Sequence, residues 1–204
     1  MDWIGNSNSI YKTLGASNHT ENEREQDDYY ATDPIAITKL LAVESLNRKV
    51  WECAAGAGHL SEHLKKHGWQ VYSTDIKNRG YILNAVQDFL TATQEQIPFK
   101  GKYDILTNPP YKYAKEFVIK ALELLPEGCK CFMFLKLTFL EGKARFNQLF
   151  AKTPPKAVHV FSERVICAKN GDFQRMKDGG GSAVAYAWFV WEKGYTDQTI
   201  INWI

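Results

Sequence analysis

Residues 49–58 read KVWECAAGAG and combine a short apolar run with two glycines that one residue separates. The apolar run predicts a buried strand, and Gly56 and Gly58 allow a tight turn into the helix that we expect over residues 58–67. A strand, a glycine turn and a helix form the first unit of many α/β sheets. Taken alone, the two glycines are equally compatible with a turn that binds nothing.

The same alternation of strand and helix continues along the chain. Further apolar runs predict strands at 70–75, 103–107, 129–137, 156–161, 182–193 and 199–203. Helical periodicity or capping predicts helices at 34–46, 113–125 and 142–151. Strands that alternate with helices indicate an α/β fold with a mostly parallel sheet that helices cover on both faces.

The composition fits one globular domain. The chain has 204 residues, of which 45% are hydrophobic and 24% charged, values that exclude a fully disordered or collagen-like protein. The first 28 residues are polar and acidic and predict a flexible arm, which leaves residues 29–204 for a single domain. No apolar run is long enough to cross a bilayer, and the first residues lack a secretory signal, so we expect a cytoplasmic protein.

Charge and cysteine usage narrow the possible partners. Residues 1–33 carry a net charge of −5 and the remaining residues +7, a moderately basic balance that suits a polyanionic partner. The four cysteines, Cys53, Cys129, Cys131 and Cys167, show neither a C-x-x-C pair nor zinc-ligand spacing. We therefore expect neither a metal site nor a disulfide.

An acidic residue stands where an α/β fold would bind a nucleoside. Asp75 ends the second predicted strand, 19 residues after Gly56, and its carboxylate could accept hydrogen bonds from both hydroxyls of a ribose. A pyrophosphate fingerprint would require a third glycine at position 61, where the chain has Ser61. The pattern favours a nucleoside without a pyrophosphate, such as S-adenosylmethionine, over NAD. A turn aspartate is the alternative interpretation.

Residues 108–111 read NPPY and follow the strand 103–107, at the edge of the sheet where open α/β folds bind ligands. The two prolines make this segment rigid. The side-chain oxygen of Asn108 and the carbonyl of Pro109 can accept both N–H bonds of one amino group, while Tyr111 offers a flat face to a planar ring. Such a clamp would localise the lone pair of a conjugated amino group toward a methyl donor. A simple turn is the alternative.

These motifs resemble those of S-adenosylmethionine-dependent amino-methyltransferases, specifically DNA adenine methyltransferases with an N-P-P-Y motif, among which compact phage-encoded enzymes are most similar. The resemblance covers residues 29–140. It implies the Rossmann-like class I methyltransferase fold with a seven-stranded sheet and an antiparallel C-terminal strand. It further implies S-adenosylmethionine as the cofactor, DNA as the partner, transfer to the exocyclic amino group of adenine, and a place in the cytoplasm, the host's if the chain is phage-encoded.

The resemblance also assigns roles to individual residues. The catalytic motif it implies consists of Asn108, Pro109, Pro110 and Tyr111. The cofactor-binding residues it implies are Tyr30, Thr32, Pro34, Glu52, Ala54, Gly56, Gly58, Asp75, Ile76, Asp88, Phe89 and Asn108. The chain departs from the family pattern at Asp33, which separates a Thr-Pro pair that is often adjacent.

An adenine in duplex DNA must leave the helix to reach Tyr111. We expect a basic loop over residues 162–182 that could hold the phosphates of the DNA backbone while an aromatic ring packs beside the extruded base. The residues proposed for these contacts are Lys169, Phe173, Arg175 and Lys177. An ordinary solvated loop is an equally good interpretation.

The clamp does not distinguish adenine in DNA from adenine in RNA or from the amide of a protein glutamine. A non-catalytic nucleic-acid-binding module is a further alternative. The residues after Leu140 are too few for a separate recognition domain, so we do not expect stringent sequence specificity. Lys136 interrupts an apolar strand, and it either lies near the cleft or extends its ammonium group into solvent.

Overall fold

The computed structural model describes residues 30–169, 171–178 and 184–204, so the arm predicted for residues 1–28 lies outside the described residues. The strands are β1 (Tyr30–Thr32), β2 (Lys49–Glu52), β3 (Gln70–Asp75), β4 (Ala85–Val86), β5 (Asp104–Thr107), β6 (Lys130–Lys136), β7 (Ala157–Val160), β8 (Cys167–Lys169), β9 (Tyr186–Glu192) and β10 (Ile200–Trp203). The α-helices are α1 (Ile35–Leu41), α2 (His59–Lys66), α3 (Ala114–Leu124), α4 (Lys143–Arg145) and α5 (Phe173–Asp178). A π-helical turn over Phe146–Phe150 continues α4.

Within the described residues, one sheet contains eight strands in the order β10-β7-β9-β6-β5-β2-β3-β4. Its neighbouring strands pair in parallel except at β9, which is antiparallel to both β6 and β7. The expected α/β class with a mostly parallel sheet is therefore confirmed. The count differs from the expected seven because β4, only two residues long, has no apolar run to reveal it. The antiparallel strand is β9, whereas the last strand, β10, runs parallel to β7.

Helices cover both faces of the sheet, and the sheet separates the core into two clusters. Helices α1 and α2 bury residues such as Ile37 and Leu64 against one face, and α3 buries Phe117 against the other. Because successive side chains of a strand point to opposite faces, neighbours such as Val50 and Trp51 in β2 enter different cores.

The segment expected as a basic loop over residues 162–182 contains regular structure in its described part. Strand β8 pairs antiparallel with β1, with Thr32 opposite Cys167, and the Asp33 amide donates to the Ile166 carbonyl at 3.0 Å. Cys167 and Ala168 are buried, which anchors the strand to the body of the domain. The basic residues and glycines around this short apolar strand concealed it in the sequence.

Helix α1 begins one residue after the expected position 34. The Asp33 carboxylate accepts a hydrogen bond from the Ile35 amide at 3.0 Å, and Pro34 occupies the position just before the helix. The helix ends at Leu41 rather than at residue 46. In the part of the chain that the structure describes, we find no helix with the length and apolarity needed to span a bilayer.

Candidate functional site

Three of the predicted site residues meet at one edge of the sheet. Strand β2 ends at Glu52, β3 ends at Asp75, and Asn108 follows the end of β5. Strand β2 lies between β3 and β5 and is parallel to both. Because parallel strands end at the same edge, these three side chains belong to one cluster of strand ends, the place where open α/β sheets bind ligands.

The glycine turn after β2 is fastened to the end of β3. Gly56 and Gly58 have φ values of 56° and 78°, which L side chains rarely adopt. The Gly56 amide donates to Asp75 Oδ2 at 2.8 Å. A Cβ on Gly58 would lie 2.4 Å from the ring of Tyr81, so this neighbour also requires glycine there. Nothing local in the sequence indicated the contact with Tyr81.

Asp75 retains capacity to bind a ligand. Its Oδ1 accepts from the Lys77 amide at 3.0 Å and its Oδ2 from Gly56, and each carboxylate oxygen has a further lone pair. Ile76 follows with its side chain 67% exposed, an apolar surface beside the acid. The pair suits a ribose with a flat base next to it. Ala54, within the same turn, is half-buried against the core.

Glu52 is buried at the end of β2 and bound by a serine. Ser61 donates a short hydrogen bond to Glu52 Oε2, and its Oγ lies 2.6 Å from the Ser73 hydroxyl. Burial raises the pKa of Glu52 to about 8, because the charged form loses hydration that the hydrogen bonds from Ser61 do not replace. Ser61 stands where a pyrophosphate fingerprint would have its third glycine, and its side chain instead binds Glu52, the acidic residue before the glycine turn.

The Asn108 carboxamide has a defined orientation. Its Nδ2 donates to the Tyr30 carbonyl at 2.9 Å and contacts Cys167 Sγ at 3.5 Å. Its Oδ1 is buried and has no hydrogen-bond partner among the described residues. Pro109 is buried and Pro110 exposed. Both amide hydrogens thus have acceptors, and the oxygen of the side chain keeps its capacity to accept.

Tyr111 is surrounded on several sides. Its hydroxyl lies 3.5 Å from Cys167 Sγ, its ring centroid lies 6.1 Å from that of Tyr186, and Lys136 Nζ lies 5.1 Å from its centroid. Burial raises the pKa of Tyr111, so its hydroxyl stays protonated near neutral pH. A cavity of about 170 Å³ adjoins the ring, and Lys136 and Phe139 contribute to its lining. Of the two interpretations of Lys136, the structure supports the position near the cleft.

The residues before the domain core also reach this edge. Tyr30 supplies the carbonyl that binds Asn108. Thr32 is 2% exposed, and its Oγ1 has no hydrogen-bond partner in the part of the chain that the structure describes. Pro34 lies farther along, at the start of α1. The first strand therefore places two of the three predicted residues beside the NPPY segment.

Asp88 and Phe89 begin a 3-10 turn over Phe89–Thr91. Asp88 Oδ1 accepts from the Leu90 amide at 2.9 Å. The Phe89 ring is 2% exposed and packs on Trp51 and Phe117, with centroid distances of 5.1 and 4.9 Å. This ring belongs to the core, so any ligand contact here falls to Asp88 or to backbone groups.

The predicted DNA-binding residues fall in β8 and α5. The Phe173 ring meets the His59 ring edge-on at 5.3 Å, which places it beside the glycine turn, whereas the ring next to Tyr111 is that of Tyr186. The side chains of Lys169, Arg175 and Lys177 lie outside the described part of the structure. All four cysteines are free and buried. No group of three or more metal-ligating side chains occurs in residues 30–169, 171–178 and 184–204.

No protein-family model matches the chain, and no curated protein matches it in sequence. Solved structures match it in fold. A Listeria monocytogenes protein assigned as a class I S-adenosylmethionine-dependent methyltransferase is 10% identical, with a TM-score of 0.53 over 84% of this chain and 65% of its own. A Vibrio vulnificus YJ016 protein assigned as the modification subunit of a type I restriction enzyme is 13% identical, with a TM-score of 0.58 over 94% of this chain and 49% of its own.

The 23S rRNA methyltransferase ErmE is 19% identical, with a TM-score of 0.52 over 81% of this chain and 70% of its own. This chain thus spans slightly less than two thirds of the Listeria protein and about half of the Vibrio subunit. At these identities the likeness is one of fold. The strand order around β2, the antiparallel β9 and these structural neighbours agree: the chain has the Rossmann-like fold of class I methyltransferases.

Proposed function

We propose that this chain transfers a methyl group from S-adenosylmethionine to the exocyclic amino group of adenine in DNA. The observation that carries the proposal is the Asn108 carboxamide. Tyr30 and Cys167 bind its nitrogen, while Oδ1 has no partner among the described residues. A buried acceptor without a partner costs stability, and it is retained where a ligand supplies the missing donor.

The clamp suits an amino group that is a weak nucleophile. The lone pair of adenine N6 is delocalised into the ring. If Asn108 Oδ1 and the Pro109 carbonyl accept both N–H bonds, the lone pair turns toward the methyl donor and the developing positive charge on nitrogen is stabilised. The Tyr111 hydroxyl is no base for the departing proton, because burial keeps it protonated. Tyr111 therefore contributes shape and stacking.

The residues at the ends of β2 and β3 fit the cofactor. Asp75 has free lone pairs for the ribose hydroxyls, Ile76 offers exposed apolar surface for the adenine ring, and Glu52 lies at the glycine turn. When bound, S-adenosylmethionine supplies a methyl group made electrophilic by its sulfonium. Thr32, with an unpartnered hydroxyl in the same region, is a further candidate contact.

The surroundings of Tyr111 favour a nucleobase as acceptor. The cavity of about 170 Å³ is smaller than the roughly 300–1,000 Å³ of pockets for drug-sized ligands, so it suits a single ring system. Lys136 places a cation at the aromatic face, a combination that suits a base attached to a phosphate backbone. Two structural neighbours, a restriction-modification subunit and a 23S rRNA methyltransferase, bear names that refer to nucleic-acid modification.

The test offers three acceptors to the full chain. Purified protein is incubated with labelled S-adenosylmethionine and unmodified duplex DNA, RNA of the same sequence, or a glutamine-containing peptide, and the products are digested and identified by mass spectrometry. We expect N6-methyladenine in DNA. Asn108→Ala should slow product formation about 10²–10³-fold. Asn202→Ala, on the exposed strand β10, serves as the matched control.

Each other outcome has a defined meaning. Label in RNA or peptide alone would contradict DNA as the acceptor and retain the clamp chemistry. DNA binding with no binding of S-adenosylmethionine, measured by calorimetry, would contradict the enzyme and indicate a binding module. Full activity of Asn108→Ala would contradict the assignment of the clamp.

A further inference from the structure

We propose that Cys167 is a positioning residue of the NPPY segment, whose thiol holds the Asn108 carboxamide with Oδ1 turned toward the acceptor. The inference rests on the proposed function and extends it to a residue outside every motif found in the sequence. Cys167 opens β8, in the insertion between β7 and β9. With this role for Cys167, the insertion between β7 and β9 becomes part of the catalytic centre.

One sulfur atom contacts two members of the NPPY segment. Cys167 Sγ lies 3.5 Å from Asn108 Nδ2 and 3.5 Å from the Tyr111 hydroxyl, across separations of 59 and 56 residues in sequence. The side chain is 3% exposed. The sulfur therefore does more than fill space in the core. Without it, the Asn108 side-chain nitrogen and the Tyr111 hydroxyl would each lose a partner.

The orientation of Asn108 depends on these contacts. A carboxamide can rotate by half a turn and exchange its oxygen and nitrogen. The exchanged orientation would bring Oδ1 against the Tyr30 carbonyl, two acceptors face to face, whereas the observed one satisfies both amide hydrogens through Tyr30 and Cys167. Without the sulfur, one buried N–H would lack a partner and the side chain would lose a restraint on rotation.

The pairing of β1 with β8 sets the place of the thiol. Cys167 lies opposite Thr32 in the register, and Thr32 Oγ1, like Asn108 Oδ1, has no hydrogen-bond partner among the described residues. Thr32 and Asn108 therefore adjoin the same cysteine. Burial raises the pKa of the Cys167 thiol, so it acts as a neutral hydrogen-bonding group and not as a nucleophile.

The experiment compares kinetic constants of the wild type with those of Cys167→Ala and Cys167→Ser. Serine keeps a hydrogen-bonding group but its oxygen lies nearer to Cβ than sulfur does, so its contacts with Asn108 and Tyr111 lengthen. We expect kcat to fall about tenfold in the alanine variant and about threefold in the serine variant. KM for DNA and the Kd of S-adenosylmethionine should stay within about twofold, because no ligand contact has been removed.

Cys131→Ala is the matched control, a fully buried cysteine next to the first residue of β6. It should lower the melting temperature without changing kcat per folded molecule. If the wild type and both Cys167 variants have the same kcat per folded molecule, the role of Cys167 is overturned. The activity of the wild type would then still support the proposed function. A wild type without activity on any acceptor would overturn both. If the alanine variant does not fold, the serine variant alone decides, since an unchanged kcat there contradicts the role.

Discussion

The polar side chains at the two ends of β5 differ in how fully they are hydrogen-bonded. Asp104, at the start, is 1% exposed and accepts three hydrogen bonds, from the Asn47 amide at 2.6 Å, from Asn47 Nδ2 at 2.9 Å and from the Lys130 amide at 2.7 Å. Asn108, just after the end, leaves Oδ1 without a partner in the described part of the chain. Asp104 is the first residue of β5, a strand of four residues, and Asn108 directly follows the last one.

The difference separates a structural polar group from a functional one. Asp104 ties the residues before β2 to the first residue of β6, and its hydrogen bonds offset part of the desolvation that raises its pKa. The role of Asp104 is therefore structural. Asn108 uses its nitrogen for the fold and keeps its oxygen available. The free oxygen of Asn108 therefore distinguishes this end of β5 from the end at Asp104, whose carboxylate is used by the fold.

The largest effect that the comparison predicts is the loss of activity in Asn108→Ala. Removing one preorganised polar group at a reacting centre costs about 10²–10³ in kcat. The fold should lose only about 1 kcal/mol, because the contacts with Tyr30 and Cys167 are two ordinary hydrogen bonds. Methyl-transfer rates and urea denaturation measure the two quantities. A loss of activity below tenfold would contradict the functional assignment of this end of β5.

The second prediction concerns the other end of the strand. Asp104→Ala leaves three partly buried N–H donors without this acceptor and should lower the free energy of unfolding by about 3 kcal/mol. The kcat per folded molecule should not change. Asp197→Ala, at an exposed position, is the matched control. Chemical denaturation gives the stability, and a selective loss of kcat would show that the comparison misassigns this end.

A third prediction uses Glu52, a buried carboxyl group at the end of β2 that Ser61 binds. Its pKa of about 8 in the folded state exceeds the ordinary value of 4.5, so between these pH values the folded state holds a proton that the unfolded state has lost. The stability that Glu52 contributes is complete below pH 4.5 and is lost as pH rises through about 8.

Glu52→Gln removes this dependence, since glutamine does not titrate and can still accept from Ser61. We expect the stability of the wild type relative to the variant to fall by about 2–3 kcal/mol between pH 5.5 and pH 8.5. Denaturation curves of both proteins at each pH measure the difference, which cancels the titration of all other groups. A difference that is constant with pH would show that Glu52 is ionised throughout.

Local patterns in the sequence were enough to predict the central strands and the strand-end residues. The apolar runs around Val50, Val71 and Ile105 gave β2, β3 and β5, and the NPPY segment follows the last of them. Each of these signals lies within a dozen residues. Their meeting at one edge follows from the parallel arrangement, which the alternation of strands and helices already indicates.

The contacts that complete the site join residues far apart in the chain and leave no local pattern. Tyr30 lies 78 residues before Asn108, and Cys167 lies 59 residues after it. The spacing of Cys167 from the other cysteines indicated neither a metal site nor a disulfide, and gave it no role at the site. Lys136 over the Tyr111 ring was one of two open interpretations. Side-chain partners of this kind depend on the folded topology.

The smallest predicted effect tests why glycine is required beside the carboxyl edge. Gly58 and Gly80 have similar φ values, +78° and +88°, but a Cβ on Gly58 would lie 2.4 Å from the Tyr81 ring, whereas a Cβ on Gly80 would meet nothing within 4 Å. Gly80→Ala should therefore cost only backbone strain, about 1 kcal/mol, and Gly58→Ala about 2 kcal/mol.

Tyr81→Ala identifies the source of the extra cost. In that background Gly58→Ala should destabilise no more than Gly80→Ala does, which thermal unfolding of the single and double variants measures. If the excess persists, the ring is not the obstacle. If instead the excess is absent already in the wild-type background, packing against Tyr81 does not select glycine at position 58, and the left-handed φ of +78° remains the physical reason for it.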